Sequence, residues 1–458
     1  MIPLLSFVHF ACITIENTTP LSIGVGRGDG LQDALVVLDA NGLPALPGSS
    51  LAGVLRHLYT DSFSQKDSDR LFGTIKDKAQ ASRLDIGWGH IHSSDDIPVY
   101  GLSGESVIQK DEILKKLLED PLPIRDGVKI NGRGVAEETG KFDRSYLPPG
   151  YRFSFDLSLW NEEASSDWDQ LLKLLSSPFF RLGGLTHRGF GAFKIVRMMG
   201  QNFNLRIYED LQSFGSISRS FRKDLIPIHV SHSSDNHHEI TISLKPEAGG
   251  FLFGGGSVPM GPSSKKAADT VPVSEMRVKW KDHKGSLSER RDIVIPASSV
   301  KGAFAHRVAF HYNRLTNKFG NEASDTKDNV AVHELFGMAL NGENPSRPGR
   351  VWFDDVYVPV PEDKLKRQIH NSIDRFTGGV INGALYSEEI VHDPSELTII
   401  CRIANKEYSA HVLDSFYLTL EDLTKGRMAL GAGGSKGHGY FHGEHDWKKT
   451  LSKGERVV

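Results

Sequence analysis

Two glycine-rich segments flanked by cations are the places where this chain could hold an anion. GGLTHRGFGAF (183–193) and GAGGSKGHGYF (431–441) match at Arg188-Gly189-x-Gly191 and Lys436-Gly437-x-Gly439. Glycine lets a backbone come close to a ligand, and successive N–H groups form anion-binding nests. His187, Arg188 and Gly189 in one loop, and Lys436, Gly437 and His438 in the other, therefore suit a phosphate. The plain alternative is a pair of tight turns. Neither loop has the G-x-x-x-x-G-K-[ST] spacing of a nucleotide cradle, and Gly26–Gly28 matches a dinucleotide fingerprint only in part. An NTPase or a nicotinamide enzyme is unsupported.

A second pair of segments, LPGSSLAGVLRH (46–57) and IPASSVKGAFAH (295–306), reads as two helix starts. Ser49, Ser50, Ser298 and Ser299 have the chemistry of N-caps. The same helix ends could face phosphate, with Arg56, His57, Lys301 and His306 on the first turns. Asp33 and Asp269 each precede one of these helices. A loop Asp is ordinarily a turn residue or a solvated group. Recurring in two repeats, it could also position a divalent ion or orient an attacking hydroxyl. Arg375 and Phe376 could stack on bases, or pack within a hairpin tip. The 19 histidines fall in no zinc-binding spacing, and none is assigned a metal.

These residues sit at repeating places. The proline–serine starts, an LFG at 71–73 and 335–337, and the glycine loops recur in one order, at offsets of 249, 264 and 248. The chain is a tandem duplication. Period-two strands are expected at Phe153, Phe155, Leu157, Leu159 and at Leu397, Ile399, Cys401, Ile403, with opening strands at 8–15 and 240–244. Helices follow at Trp168, Leu171, Leu172, Leu175 and at Val412, Leu413, Phe416, Leu420. This order predicts an α+β architecture with helices on one face of each sheet. Residues 1–205 form the first domain, 206–228 the join and 229–458 the second. Segments 124–149 and 369–394 read as long projecting hairpins, and 249–268 as a flexible loop.

The 458 residues allow two to four domains. With 54 Lys+Arg against 57 Asp+Glu, the net charge of −3 excludes a uniformly basic coat for nucleic acid but leaves room for a local basic groove. Two cysteines exclude a disulfide scaffold or a cysteine zinc module. No apolar run is long enough for a membrane span, and MIPLLSFVHFAC reads as a strand rather than a signal peptide. A cytoplasmic protein is expected.

TPLSIG (19–24), Asp33, GLPALPGSSLAGVLR (42–56), LFG and GGLTHRGFG (183–191) together resemble the RAMP superfamily, the backbone subunits of type III CRISPR RNA-guided effector complexes. FLFGGG (251–256), Asp269, IPASSVKGAF (295–304), LFG, IDRFTGGVINGALYSEE (373–389) and GAGGSKGHG (431–439) repeat that resemblance. It implies two tandem modified ferredoxin-like, RRM-related domains, each with a projecting β-hairpin thumb. It also implies guide crRNA held by its backbone, complementary target RNA, other backbone subunits and a large subunit as partners. In the family's catalytic members, an Asp before the Pro-x-Ser-Ser helix supports divalent-cation-dependent (Mg²⁺) target cleavage. That Asp falls on Asp33 and Asp269. Two units in one chain most resemble the fused double subunit of type III-D variants. The resemblance leaves open a non-catalytic scaffold, a filament cap or a guide-precursor endoribonuclease. The second unit departs from the first at Ala305 (for Arg56) and Ala432 (for Gly184), and Asp269 lies 27 residues before Pro296 where Asp33 lies 14 before Pro47.

Overall fold

The structure, a computed structural model, describes residues 5–24, 36–75, 79–131, 135–217, 225–230, 237–256, 258, 268–338, 346–393 and 395–447. Each half builds a four-stranded antiparallel core in the same order. In the first, the strands in chain order are Phe7–Asn17, Leu84–Ile86, Arg152–Asn161 and Phe193–Asn204. In the second they are His237–Pro246, Val351–Phe353, Leu397–Ala404 and Phe441–His445. Both run second–third–first–fourth across the sheet, which is ferredoxin-like topology.

Register explains which side chains become core. Ala11, Ile13 and Ile15 oppose Leu157, Phe155 and Phe153, and Ile240 and Ile242 oppose Cys401 and Ile399. Because the side-chain period is two, each alternating set lies on one face. Helices Gly48–Ser62 and Asp167–Leu175 cover that face in the first half. Ala297–Leu315 and Val412–Thr424 do so in the second. Each LFG closes a short helix, Gln65–Phe72 or Val330–Phe336, where Gly73 and Gly337 turn the chain out at φ 80° and 89°.

The first sheet is also covered on its far face, where Phe10, Cys12, Phe203 and Leu225 cluster with Phe214. Phe214 belongs to helix Tyr208–Ser216, so the join read at 206–228 carries an element of its own, and Ile226–Pro227 adds to the sheet edge. The opening strand is therefore buried along nearly its whole length, whereas His237–Pro246 alternates.

The two long hairpins are present. Ile124–Ile130 pairs with Ala136–Ser145, and Leu365–His370 with Tyr386–Val391. The second begins four residues before the expected 369. Of the loop read at 249–268, residues 257 and 259–267 lie outside the described residues, and Gly254–Gly256 pairs with Val271–Pro272. Among the described residues no helix is long and apolar enough to cross a membrane.

Candidate functional site

One backbone design recurs in both glycine loops. Left-handed residues occupy Gly183, Leu185, Gly189 and Gly191 in the first loop and Gly431, Gly433, Gly437 and Gly439 in the second. Between the middle two of each set lies one 3₁₀ turn, Thr186–Arg188 or Gly434–Lys436. Leu185 holds φ 57° where the second loop has glycine, so the shape is imposed by the fold as well as by composition.

The first loop is pressed against the second half. A Cβ on Gly189 would lie 2.3 Å from the Ala297 Cβ, so only glycine lets the loop touch that helix start. Lys301 donates to the His187 carbonyl at 3.1 Å, and the His187 ring lies 5.2 Å from Trp352. Burial, then the charges of Lys301 and Arg181, push the His187 pKa down to about 4. His187 is therefore neutral at pH 7, not the cation expected. Burial and Arg188 bring Lys301 down to about 8. Arg188 is exposed, and burial and the like charge of Arg144 lower its pKa.

The base of the first hairpin is likewise sealed. Arg125 is buried between Glu275 and Asp355, with Tyr146 and Tyr357 donating to Glu275 at 2.7 and 2.9 Å. Two carboxylates share one guanidinium, and burial pushes Asp355 up to about 6 against the pull of Arg125. Asp355 also accepts from the Ala297 N–H at 2.7 Å. It thus caps the second proline–serine helix from a distant loop.

The serines do not cap. Pro47 and Pro296 are the N-cap residues, neither helix start has a side-chain cap of its own, and the serines fall inside the first turn. Proline at φ −60° and −68° already sets the extended entry that a capping serine would hold. Ser49, Ser298 and Ser299 are exposed and Ser50 is half-buried. Arg56 pairs with Asp69 at 2.6 Å across the helix pair of its own domain.

The second loop has open surroundings. Lys436 is exposed and donates to Glu388 at 2.6 Å and to the Tyr386 hydroxyl at 3.1 Å. Burial works against its charge, but Glu388 and Tyr386 outweigh it and raise its pKa. A Cβ on Gly437 would meet nothing within 4 Å. His438 is buried, its Nδ1 2.6 Å from the Gly249 carbonyl oxygen. The tip of the second hairpin presents Arg375 and Phe376 to solvent, Phe376 at 98% exposure, while Asp374 folds the turn by accepting from Phe376 and Thr377.

Asp33 lies outside the described residues. Asp269 is exposed at the base of the second hairpin. Its Oδ2 accepts from the Ser387 N–H at 2.7 Å and the Ser387 hydroxyl at 2.9 Å, and Arg367 donates to the same hydroxyl at 2.9 Å. A carboxylate and a guanidinium thus meet at Ser387 on one face of the hairpin, and the Glu388–Lys436 pair lies one residue along the strand on the other face. Arg367, Tyr386, Ser387 and Glu388 carry no chemical motif of their own in the sequence; hairpin pairing and the loop packed on it bring them to this site.

A groove of about 850 Å³ separates the halves beneath the first loop. His57, Arg181, His187, Arg350, Trp352 and Lys406 are among its walls. Arg181 is tied to Asp354 at 2.5 Å, and Asp354 also takes Arg402 at 2.6 Å, so part of that positive lining is neutralised from below.

A family model described as the RAMP superfamily matches residues 14–194 and 273–442, one span in each half. No curated protein matches the chain. Among solved structures, a chain of the "Cryo-EM structure of the Type III-B Cmr-beta bound to cognate target RNA" is similar at 13% identity and a TM-score of 0.30. The match covers 42% of this chain and 60% of that one, under two thirds of the neighbour's length.

Proposed function

This chain belongs to the RAMP superfamily, and from that premise we propose that it is a subunit of a type III CRISPR effector complex. In this reading it holds the guide RNA backbone and cleaves complementary target RNA, using Asp33 in one unit and Asp269 in the other. The fused double subunit of type III-D complexes is the form it would take. The observation that carries the reading is that both units are built with a glycine loop of one backbone shape and a projecting hairpin, the second loop being the one left open.

Cleavage would begin with a splayed nucleotide whose 2′-oxygen lies in line with its own 3′-phosphate. The oxygen bonds to phosphorus, the bond to the next 5′-oxygen breaks, that departing oxygen takes a proton from solvent water, and a 2′,3′-cyclic phosphate and a 5′-hydroxyl result. Asp269 takes the 2′-hydroxyl proton, and Arg367 offsets charge gathering on the phosphate. Asp33 takes the same role in the first unit. Mg²⁺ uses one or two carboxylates along with waters and substrate phosphate, so a single exposed carboxylate fits it, and Asp269 would hold it. The ion would supply Lewis-acid polarisation there.

The test is the assembled complex with end-labelled complementary RNA. Asp33→Ala and Asp269→Ala should each remove one of two product bands, and an all-DNA target should bind uncut. Retention of both bands in both variants overturns the catalytic reading. One observation favours a second reading, a scaffold without cleavage: both bonds from Ser387 make Asp269 a staple between its loop and the hairpin. In that case Asp269→Ala lowers thermal stability and leaves the band pattern unchanged.

A further inference from the structure

His370, Glu388 and His438 bring three ligand atoms within 4.8 Å of one another. The first two belong to the second hairpin, where His370 pairs with Tyr386 and Gln368 with Glu388. They are diagonal neighbours on one face of the ladder. His438 arrives from the glycine loop, 50 residues further on in sequence than Glu388.

The hydrogen bonding of this group is that of a ligand set. The Gly249 carbonyl only accepts, so the proton of a neutral His438 lies on Nδ1 and Nε2 keeps its lone pair. An imidazole anchored through its other nitrogen to a backbone carbonyl is how metal-ligating histidines are oriented. His370 Nε2 comes within 2.9 Å of Glu388 Oε2, yet it is buried and has no partner in hydrogen-bond geometry. A ring nitrogen and a carboxylate oxygen thus face each other without hydrogen-bond alignment. Tyr386 stacks on His370 with centroids 5.0 Å apart and fixes its ring. Lys436 neutralises Glu388 through the same Oε2 that faces His370, so its ammonium is the cation an ion would displace.

We propose that His370, Glu388 and His438 bind one divalent transition-metal ion of the zinc class, which ties the second hairpin to the glycine loop. Imidazole nitrogen selects zinc-class ions over Mg²⁺, which prefers oxygen. Three protein ligands leave a tetrahedral ion one open position, for water or a phosphate oxygen. The centre is separate from Asp269. That carboxylate is bonded to Ser387, and successive residues of a strand point to opposite faces, so Ser387 and Glu388 diverge.

The test is calorimetric titration of the EDTA-stripped full chain with ZnCl₂, repeated with CoCl₂ while following visible d–d absorption. One equivalent should bind, raising the melting temperature. His370→Ala should weaken it by more than the roughly 10–100-fold that loss of an outer-shell partner costs. His438→Ala should do the same, and His370→Ala decides if the buried variant fails to fold. Lys436→Met, which removes the competing ammonium, should bind more tightly. Absence of saturable binding, binding that survives His370→Ala because exposed histidines supply it, or weaker binding in Lys436→Met overturns the assignment. None of these outcomes depends on RNA cleavage, so this centre and the Asp269 reading can fail separately.

Discussion

In the first unit the glycine loop touches Ala297, Lys301 and Trp352 of the second unit, and the hairpin beside it is anchored by Arg125 between two buried carboxylates. In the second unit the same left-handed positions and the same turn border Lys436, Tyr386 and Glu388, on a face where Gly437 is exposed. One backbone motif thus does two jobs. Covered by a following unit, it becomes a joint, its histidine neutral and its glycine fixed by contact. Uncovered, it keeps a charged lysine and a cluster of titratable groups. The shape is set by the glycines together with the fold, which holds even Leu185 left-handed, and the chemistry available at it depends on what lies opposite.

Removing the arginine near the start of each hairpin should separate the buried joint from the open face most strongly. Arg125→Met leaves Glu275 and Asp355 buried without their cation, and stability should fall by about 3–5 kcal/mol in chemical denaturation. Arg367→Met, on the exposed base of the other hairpin, should stay within about 0.5 kcal/mol. Comparable losses at both positions would erase the distinction between joint and open face.

The two glycine loops should differ by a smaller amount. Gly189→Ala forces a methyl into the Ala297 contact at φ 96°. Left-handed strain of about 1–2 kcal/mol then adds to overpacking of about 1–3 kcal/mol. Gly437→Ala, at φ 88° with open space around it, should cost only about 1–2 kcal/mol. Thermal melts of the two variants side by side give the difference.

The smallest effect is one of pH. The folded-state pKa of His187, about 4, lies below its ordinary 6.5, so the unfolded chain takes up this proton first. The contribution of His187 is fully present above pH 6.5 and is lost progressively as pH falls towards 4. Asp355 runs the other way. Its pKa is raised from 3.8 to about 6, so its contribution is present below 3.8 and lost as pH rises through 6. Because Asp355 is common to both proteins, the difference in melting temperature between wild type and His187→Gln isolates the histidine. That difference should move against the wild type between pH 7 and pH 5. A flat difference would mean that the loop is not sealed at the joint.

Much of the fold was legible because it is periodic. Phe153 to Leu159 and Leu397 to Ile403 alternate, and the expected strands lie inside Arg152–Asn161 and Leu397–Ala404. The helix at 208–216 was not legible. It has weak apolar patterning, and it exists because Phe10, Cys12 and Phe203 on the far face of the first sheet need covering. The N-cap positions expected for the serines are held by Pro47 and Pro296, whose rings set the entry angle, and at the second helix the side-chain capping bond comes from Asp355. The histidines matched no metal-binding spacing because His370, Glu388 and His438 meet through hairpin register and loop packing, not along one helix.

The duplication was readable from motifs recurring at offsets of 249, 264 and 248, and strand and helix patterning gave two α+β units with their hairpins and glycine turns. Their ferredoxin-like topology was implied by the family resemblance, whereas the patterning itself reflects backbone preferences that act over a few residues. Only the tertiary structure decided that one loop is buried and the other open, that Arg125 lies between Glu275 and Asp355, and that Asp269 is fastened to Ser387. Desolvation and ion pairing depend on which distant groups are brought opposite one another, and no spacing along the chain records that.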